Sequence, residues 1–171
     1  MIESIKVRRA RNEDVPDIMD IYNYAILHTT ATFDTEPKTL EDRLEWFGEH
    51  AEEYPVLVAT VGERVVGWGS IRPFGERRAY RYTVENAIYI DCDCQGRGIG
   101  TALLRELLVA AEERGYHVML ALVVAGNDAS EKLHEKFGFD EVGRMREVGR
   151  KFDRWLDLIV YEKKLDTQHF K

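Results

Sequence analysis

Gln95-Gly96-Arg97-Gly98-Ile99-Gly100 stands between an apolar, β-forming run, Ala87-Ile88-Tyr89-Ile90, and an amphipathic run from Thr101 to Arg114. The glycines therefore mark the passage from a strand into a helix. Three glycines at alternate positions let backbone N–H groups converge without Cβ obstruction, and the new helix adds its unpaired N–H groups and positive dipole end. Such a turn suits a pyrophosphate. Glycine-rich turns ahead of helices also occur as plain turns, so the stretch alone leaves both readings open.

The flanking segments extend the pattern. Ile99, Ala102, Leu103, Leu107 and Ala110 form a stripe wide enough to cover a sheet face, and Gly115 is placed to stop the helix. Residues 80–91 alternate polar and apolar side chains, as a long strand does. Residues 117–124 are apolar almost throughout, the signature of a central strand covered on both faces. Asn127-Asp128-Ala129-Ser130 supplies a cap and first turn for a short helix through Phe137, stopped by Gly138. Two strands, residues 139–148 and 155–164, follow, with polar residues 149–154 between them.

Upstream, Ile5 and Val7 alternate with charged residues in an opening strand. Asn12 is the expected cap of a helix running to Leu27, with Pro16 in its first turn. Residues 29–37 form a polar loop carrying one large aromatic, Phe33, suited to core filling or to a pocket wall. Thr39 with Asp42 starts a second helix. Residues 55–61 and 64–71 are β-branched runs joined by Gly62-Glu63, a hairpin. The order is β-α-α-β-β-β-α-β-α-β-β, an α/β mixed sheet with helices on both sides, expected as one domain over residues 1–171.

The glycine turn fits neither of two familiar nucleotide loops. A dinucleotide fold needs Gly-x-Gly-x-x-Gly in an early βαβ unit, whereas this turn is mid-chain and spaced Gly-x-Gly-x-Gly. The phosphate loop of nucleotide hydrolases needs Lys-Ser or Lys-Thr after its last glycine, and Gly100 is followed by Thr101-Ala102.

A chain of 171 residues with 44% hydrophobic and 32% charged residues has a globular composition. A formal charge of -7 argues against nucleic acid and anionic membranes as partners. Met1 to Lys6 lacks a signal-peptide core, so a cytoplasmic location is expected. Cys92 and Cys94, the two cysteines, are too few and too close for a disulfide framework or a four-ligand metal site, and no metal is expected.

The chain resembles the GCN5-related N-acetyltransferases (GNAT). Gln95 to Gly100 matches that family's Gln/Arg-x-x-Gly-x-Gly/Ala signature for acetyl-CoA, and Asn127 through Phe139, ending Leu133-His134-Glu135-Lys136-Phe137-Gly138-Phe139, is similar to its Asn-x-x-Ala/Ser-x-x-Leu-Tyr-x-Lys-x-Gly-Phe segment. Within the superfamily the resemblance is to phosphinothricin and methionine sulfone/sulfoximine acetyltransferases. It extends over 32–37, 68–74, 82–90 and 149–158, nearly the whole chain. It implies a GNAT-type acyl-CoA N-acyltransferase fold, acetyl-CoA as co-substrate, a homodimer, and acetyl transfer to the α-amino group of a small amino-acid analogue.

Transfer of acetyl from a thioester to an amine needs a bound donor, a neutral amine, a stabilised oxyanion and a proton for the departing thiolate. The backbone of Gln95, Gly96, Arg97, Gly98, Ile99, Gly100 and Thr101 is expected to hold the pyrophosphate. The resemblance lays the pantetheine arm along Ile88, Tyr89 and Ile90, with an oxyanion donor near Ile90, and adds Asn127 as cap and cofactor contact. Glu85 is the expected general base. His134, standing where most of the superfamily has tyrosine, is the candidate acid. Arg72 and Arg81 are candidates to clamp substrate oxygens, and Phe33 an apolar wall. Two rival readings are an acetyltransferase of protein N-termini or side chains, and a coenzyme A sensor without turnover.

Overall fold

The computed structural model describes residues 4–50 and 52–167. Seven strands form one sheet in the order β1-β2-β3-β4-β5-β7-β6. They are β1 (Ile5–Arg9), β2 (Val56–Val61), β3 (Arg64–Pro73), β4 (Thr83–Ile90), β5 (Val118–Val124), β6 (Asp140–Lys151) and β7 (Arg154–Lys164). The helices are α1 (Val15–His28), α2 (Leu40–Glu49), α3 (Ile99–Glu113) and α4 (Asp128–Lys136). Every neighbouring pair is antiparallel except β4 and β5. The β4–β5 connection crosses over through α3, as parallel pairing requires.

The sheet has a core on each face. On one side Leu103, Leu104 and Leu107 of α3 are fully buried against β-strand residues Ala59, Ile71, Val84, Met119 and Ala121. Each such leucine contributes roughly 1.5–3 kcal/mol. Gly67 and Gly69 of β3 make this contact possible, since a Cβ there would stand 3.0 Å from Ile99 and 2.9 Å from Leu107. On the other side α1 brings Ile18 and Ile21 down onto Val58, Val65 and Trp68. β5 is interior, between β4 and β7, as its continuous apolar character demands.

Four local expectations are corrected. Asn12 does not cap α1; it opens a 3-10 turn, Asn12–Asp14. Asp14 stands at the N-cap position without a side-chain cap bond to α1; its carboxylate instead accepts the Arg11 N–H at 2.7 Å while Arg8 grips both its oxygens at 2.7 and 2.8 Å. The strand expected from residue 80 begins at Thr83, because Arg78–Tyr80 closes into another 3-10 turn. α3 begins at Ile99, inside the glycine stretch. The polar residues 149–154 are mostly strand, and β6 and β7 turn through Phe152 and Asp153 at φ 50° and 58°. Two consecutive left-handed residues make the hairpin turn that matches strand twist. No Asn-Gly or Asp-Gly announced it.

The parallel pair is short. β4 and β5 are in register only from Thr83 with Val118 to Asn86 with Ala121, yet β4 continues to Ile90 and β5 to Val124. Beyond Asn86 the two strands separate, and a wedge opens in the middle of the sheet.

Candidate active site

The wedge exposes strand backbone. Asp91 N–H donates to Val66 O, so Asp91 turns its peptide groups toward β3. Alternation along a strand directs Tyr89 the same way and turns the N–H and C=O of Ile88 and Ile90 into the gap. An extended molecule there would pair with β4 as a strand does. Tyr89 therefore differs from its expected role: its side chain, not its peptide, reaches the site, packed 5.0 Å from the rings of Trp68 and Tyr22.

Beyond β4 the chain enters the glycine turn. Gly96 and Gly98 have φ of 73° and 81°, and Gly98 forms the left-handed N-cap of α3. A Cβ at either would meet no atom within 4 Å, so the backbone forms an open cradle whose conformation, not its crowding, requires glycine. Gly100 is small for a different reason. A Cβ there would lie 3.1 Å from Leu133 and 3.2 Å from Ile90, where α4 and β4 close on the first turn of α3. Gln95 and Arg97 are exposed at the rim, and Ile99 is buried beneath. Cradle and free strand edge together fit a pyrophosphate carrying an extended arm.

A cavity of about 430 Å³ occupies the wedge. Glu85, Ala87, Ile88, Tyr89, Val124, Asn127 and His134 are among its lining residues. On the α1/α2 side its floor is the β3–β4 pairing, where Trp68 stands opposite Tyr89, Ser70 opposite Ala87 and Arg72 opposite Glu85. Arg72 Nη2 donates to Glu85 Oε1 at 2.6 Å. Burial works against the Arg72 charge, but the Glu85 carboxylate outweighs it and raises the pKa. Tyr22 donates to Asp34 Oδ2 at 2.6 Å, and Phe33 completes that wall.

Phe33 is positioned from far along the chain. Its ring covers Gly149 of β6 so closely that a Cβ there would fall 2.5–2.7 Å from ring atoms. Next to it, buried Lys151 donates to Thr32 O at 3.0 Å. Arg81 is not brought to the cavity. It is exposed, lies over the Tyr82 ring at 4.3 Å and donates to Arg78 O at 3.2 Å. The 3-10 turn that shortened β4 carries it away.

His134, 3% exposed, lies on the α4 side of the wedge. Nδ1 is 2.8 Å from Ser130 O and Nε2 is 3.1 Å from Asn86 Oδ1, while Asn86 Nδ2 donates to Leu120 O at 3.2 Å. Burial lowers its pKa, against the Ser130 carbonyl. The neutral ring has one N–H for two oxygens. A proton reaching Nε2 would find Asn86 Oδ1 as its acceptor. Asn127 caps α4 as expected, its Oδ1 accepting the Ser130 N–H at 3.3 Å, and it lines the cavity.

Sequence reasoning missed Tyr22, Arg43, Trp68, Asn86 and Gly149, and left open whether Lys151 to Trp155 approach the pocket or a second copy. Asn86 carried a signal, a polar residue flanking Glu85 in an otherwise apolar strand, and the others acquire their place only through tertiary contacts.

The acetyltransferase (GNAT) family profile matches residues 18–139. An L-methionine sulfoximine/L-methionine sulfone acetyltransferase of Pseudomonas paraeruginosa is 41% identical over 166 residues, spanning 95% of this chain and 96% of that protein. A phosphinothricin N-acetyltransferase of Streptomyces coelicolor is 39% identical, over 94% of this chain and 96% of its own. A phosphinothricin acetyltransferase of Sinorhizobium meliloti, solved in complex with acetyl-CoA, superposes with a TM-score of 0.93 at 31% identity, covering 98% of this chain and 92% of that one. A split parallel pair, a glycine cradle at the head of α3 and relatives matched end to end agree on one conclusion: the chain belongs to the GNAT family of acetyltransferases and is an acetyl-CoA-dependent N-acetyltransferase.

Proposed function

We propose that the acceptor is the α-amino group of a small amino-acid analogue of the phosphinothricin, methionine sulfone or methionine sulfoximine type. The observation that carries this reading is the Arg72–Glu85 pair on the wall of the cavity, a cation for the acceptor's oxygens beside a base for its nitrogen. The names of the two curated relatives point to the same substrate class.

Acetyl-CoA supplies the acetyl group as a thioester. Residues 95–101 bind its pyrophosphate, and the N–H groups of Ile88 and Ile90 orient the arm, with Ile90 placed to donate to the carbonyl oxygen as charge develops. Arg72 draws the acceptor carboxylate or its distal oxygens, which compete with Glu85 for the guanidinium. Glu85 accepts a proton from the acceptor ammonium, freeing the nitrogen lone pair to attack. The proton that the attacking nitrogen releases passes through His134 Nε2 to the departing thiolate, with Asn86 fixing the ring. Phe33 excludes water from the acceptor's apolar part.

The protein works in this reading as a cytoplasmic homodimer, with no nucleic-acid or membrane partner. Among the described residues no helix is long and apolar enough to cross a membrane. Val142, Met145, Val148, Phe152 and Trp155 are exposed along the β6–β7 hairpin at the sheet edge, an apolar margin suited to a second copy. Val148→Asp with Trp155→Lys would leave a monomer in sedimentation.

The decisive experiment follows thiol release from acetyl-CoA with amino acids, methionine sulfone, methionine sulfoximine, phosphinothricin and short peptides as acceptors. Turnover of the amino-acid analogues is expected. Turnover of peptides alone would replace the substrate class.

A further inference from the structure

No step of the transfer uses Arg43, yet it lines the acceptor cavity and an adjoining one of about 440 Å³, as Arg72 does. The residue is only 5% exposed, on the inner face of α2. Its guanidinium carbon lies 3.7 Å from the centre of the Trp46 ring, 4.8 Å from Tyr22 and 5.2 Å from Trp68. Nε and Nη2 are buried and meet no hydrogen-bond acceptor.

The neighbouring carboxylates do not supply one. Glu85 is held by Arg72 at 2.6 Å. Asp34 accepts from Tyr22 at 2.6 Å and pairs with Lys38 at 3.3 Å. Burial lowers the Arg43 pKa to about 10, against the pull of Tyr22, Tyr89 and Asp34, so it stays charged at neutral pH. One positive charge in this chamber is thus without a hydrogen-bonded counter-charge.

A buried cation without a hydrogen-bonded partner is costly, and an apolar side chain of similar volume would pack there without that cost. The aromatic rings offset part of it through the guanidinium faces. They leave the in-plane N–H donors unfilled, and those are the groups that recognise oxyanions in forked geometry. Amino-acid analogues of the proposed class carry oxygens at two ends, an α-carboxylate and a distal sulfone, sulfoximine or phosphinate.

We propose that Arg43 is a second oxyanion-binding residue of the acceptor site, gripping one oxygen-bearing end of the substrate while Arg72 takes the other. The assignment rests on the reading that this cavity holds an amino-acid acceptor. It makes Arg43 a specificity residue, reading acceptor length between two fixed cations.

The test compares the full-length enzyme with Arg43→Lys, which keeps charge and ring stacking but not the fork. For methionine sulfone, the acceptor KM is expected to rise roughly ten-fold or more, the scale of a charge-assisted hydrogen bond, with the acetyl-CoA KM unchanged. Repeating the comparison with methionine sulfone carboxamide and with methionine locates the grip. The penalty shrinks for whichever acceptor lacks the oxygens that Arg43 holds. An equal penalty for all three, or a parallel rise in the acetyl-CoA KM, would assign Arg43 to packing alone and overturn the proposal.

A binding measurement keeps the question open to test if Arg43→Lys fails to fold. Titrating the wild-type enzyme with methionine sulfone should change tryptophan fluorescence, a change lost in Trp46→Phe, which keeps a ring beneath Arg43. Binding with that signal but without turnover would sustain Arg43 and defeat the substrate reading. Normal turnover with no Trp46 signal would do the reverse.

Discussion

Arg72 and Glu85 face each other across the β3–β4 register with Nη2 and Oε1 2.6 Å apart, the arginine half out in solvent and the glutamate buried. The asymmetry separates what the pair does for folding from what it does for chemistry. With the Arg72 side chain 60% exposed, solvent screens the bridge, and its worth to stability falls within the usual range of about 0–1 kcal/mol. Glu85, 8% exposed and lining the cleft, is placed for the acceptor's proton.

Glu85→Gln is therefore expected to melt within a few degrees of wild type while kcat/KM at neutral pH falls by roughly 10²-fold or more, the usual worth of a general base. Raising the pH should recover part of the loss, since a larger share of the amine then arrives neutral. A variant with wild-type rates and an unchanged pH–rate profile would remove Glu85 from the reaction.

His134 links catalysis to acid stability. Its pKa is depressed in the folded protein by burial, so between its ordinary value of 6.5 and the lower folded value the unfolded chain binds a proton that the native state refuses. Stability is then complete above pH 6.5 and declines as the pH falls, by at most ~1.4 kcal/mol per pH unit for one proton. His50, half-buried and also depressed by desolvation, acts in the same direction. Chemical denaturation at pH 7.0 and 5.5 should show a smaller acid loss in His134→Gln than in wild type, whatever its absolute stability. An equal loss would mean that His134 takes up its proton in the folded state.

The glycine cradle is tested through the donor. Gly98 sits at φ 81°, where a β-branched side chain costs about 1–2 kcal/mol, and no neighbour opposes its Cβ. Gly98→Val should consequently fold with a modestly lower Tm, while acetyl-CoA affinity by calorimetry drops about ten-fold or more and the acceptor KM holds. Unaltered acetyl-CoA binding would place the pyrophosphate elsewhere.

The donor half of the site was legible in the sequence because it is local. A strand, the glycines and a helix follow one another within residues 87–114, and the Asn127 cap and α4 lie within a dozen residues of each other. The acceptor half assembles from loop 29–37, α2, β3, β4 and the end of β6. No periodicity reports that Lys151 will hold Thr32, or that Arg43 will turn inward among aromatics. Arg81 stands outside the cavity because a 3-10 turn, Arg78–Tyr80, interrupts what alternation suggested was strand.

Gly149 offers the most direct test of that distant assembly. The ring of Phe33 lies against its Cα, and a Cβ would stand 2.5 Å from Cζ and 2.7 Å from both Cε atoms, well inside contact distance. Gly149 sits within β6, paired with Leu156, and its φ is not in the left-handed region, so alanine is compatible with the backbone there. The strain of Gly149→Ala thus falls on Phe33, which must leave the wall of the cavity. Lys151 still ties Thr32 to the hairpin, so the loop is retained while its aromatic is displaced. The acceptor KM should rise several-fold with the acetyl-CoA KM unchanged. Phe33→Ala should show a similar defect, and the double variant no more than either alone, because both remove one wall. Additive penalties would show that Gly149 acts on the site by some route other than Phe33.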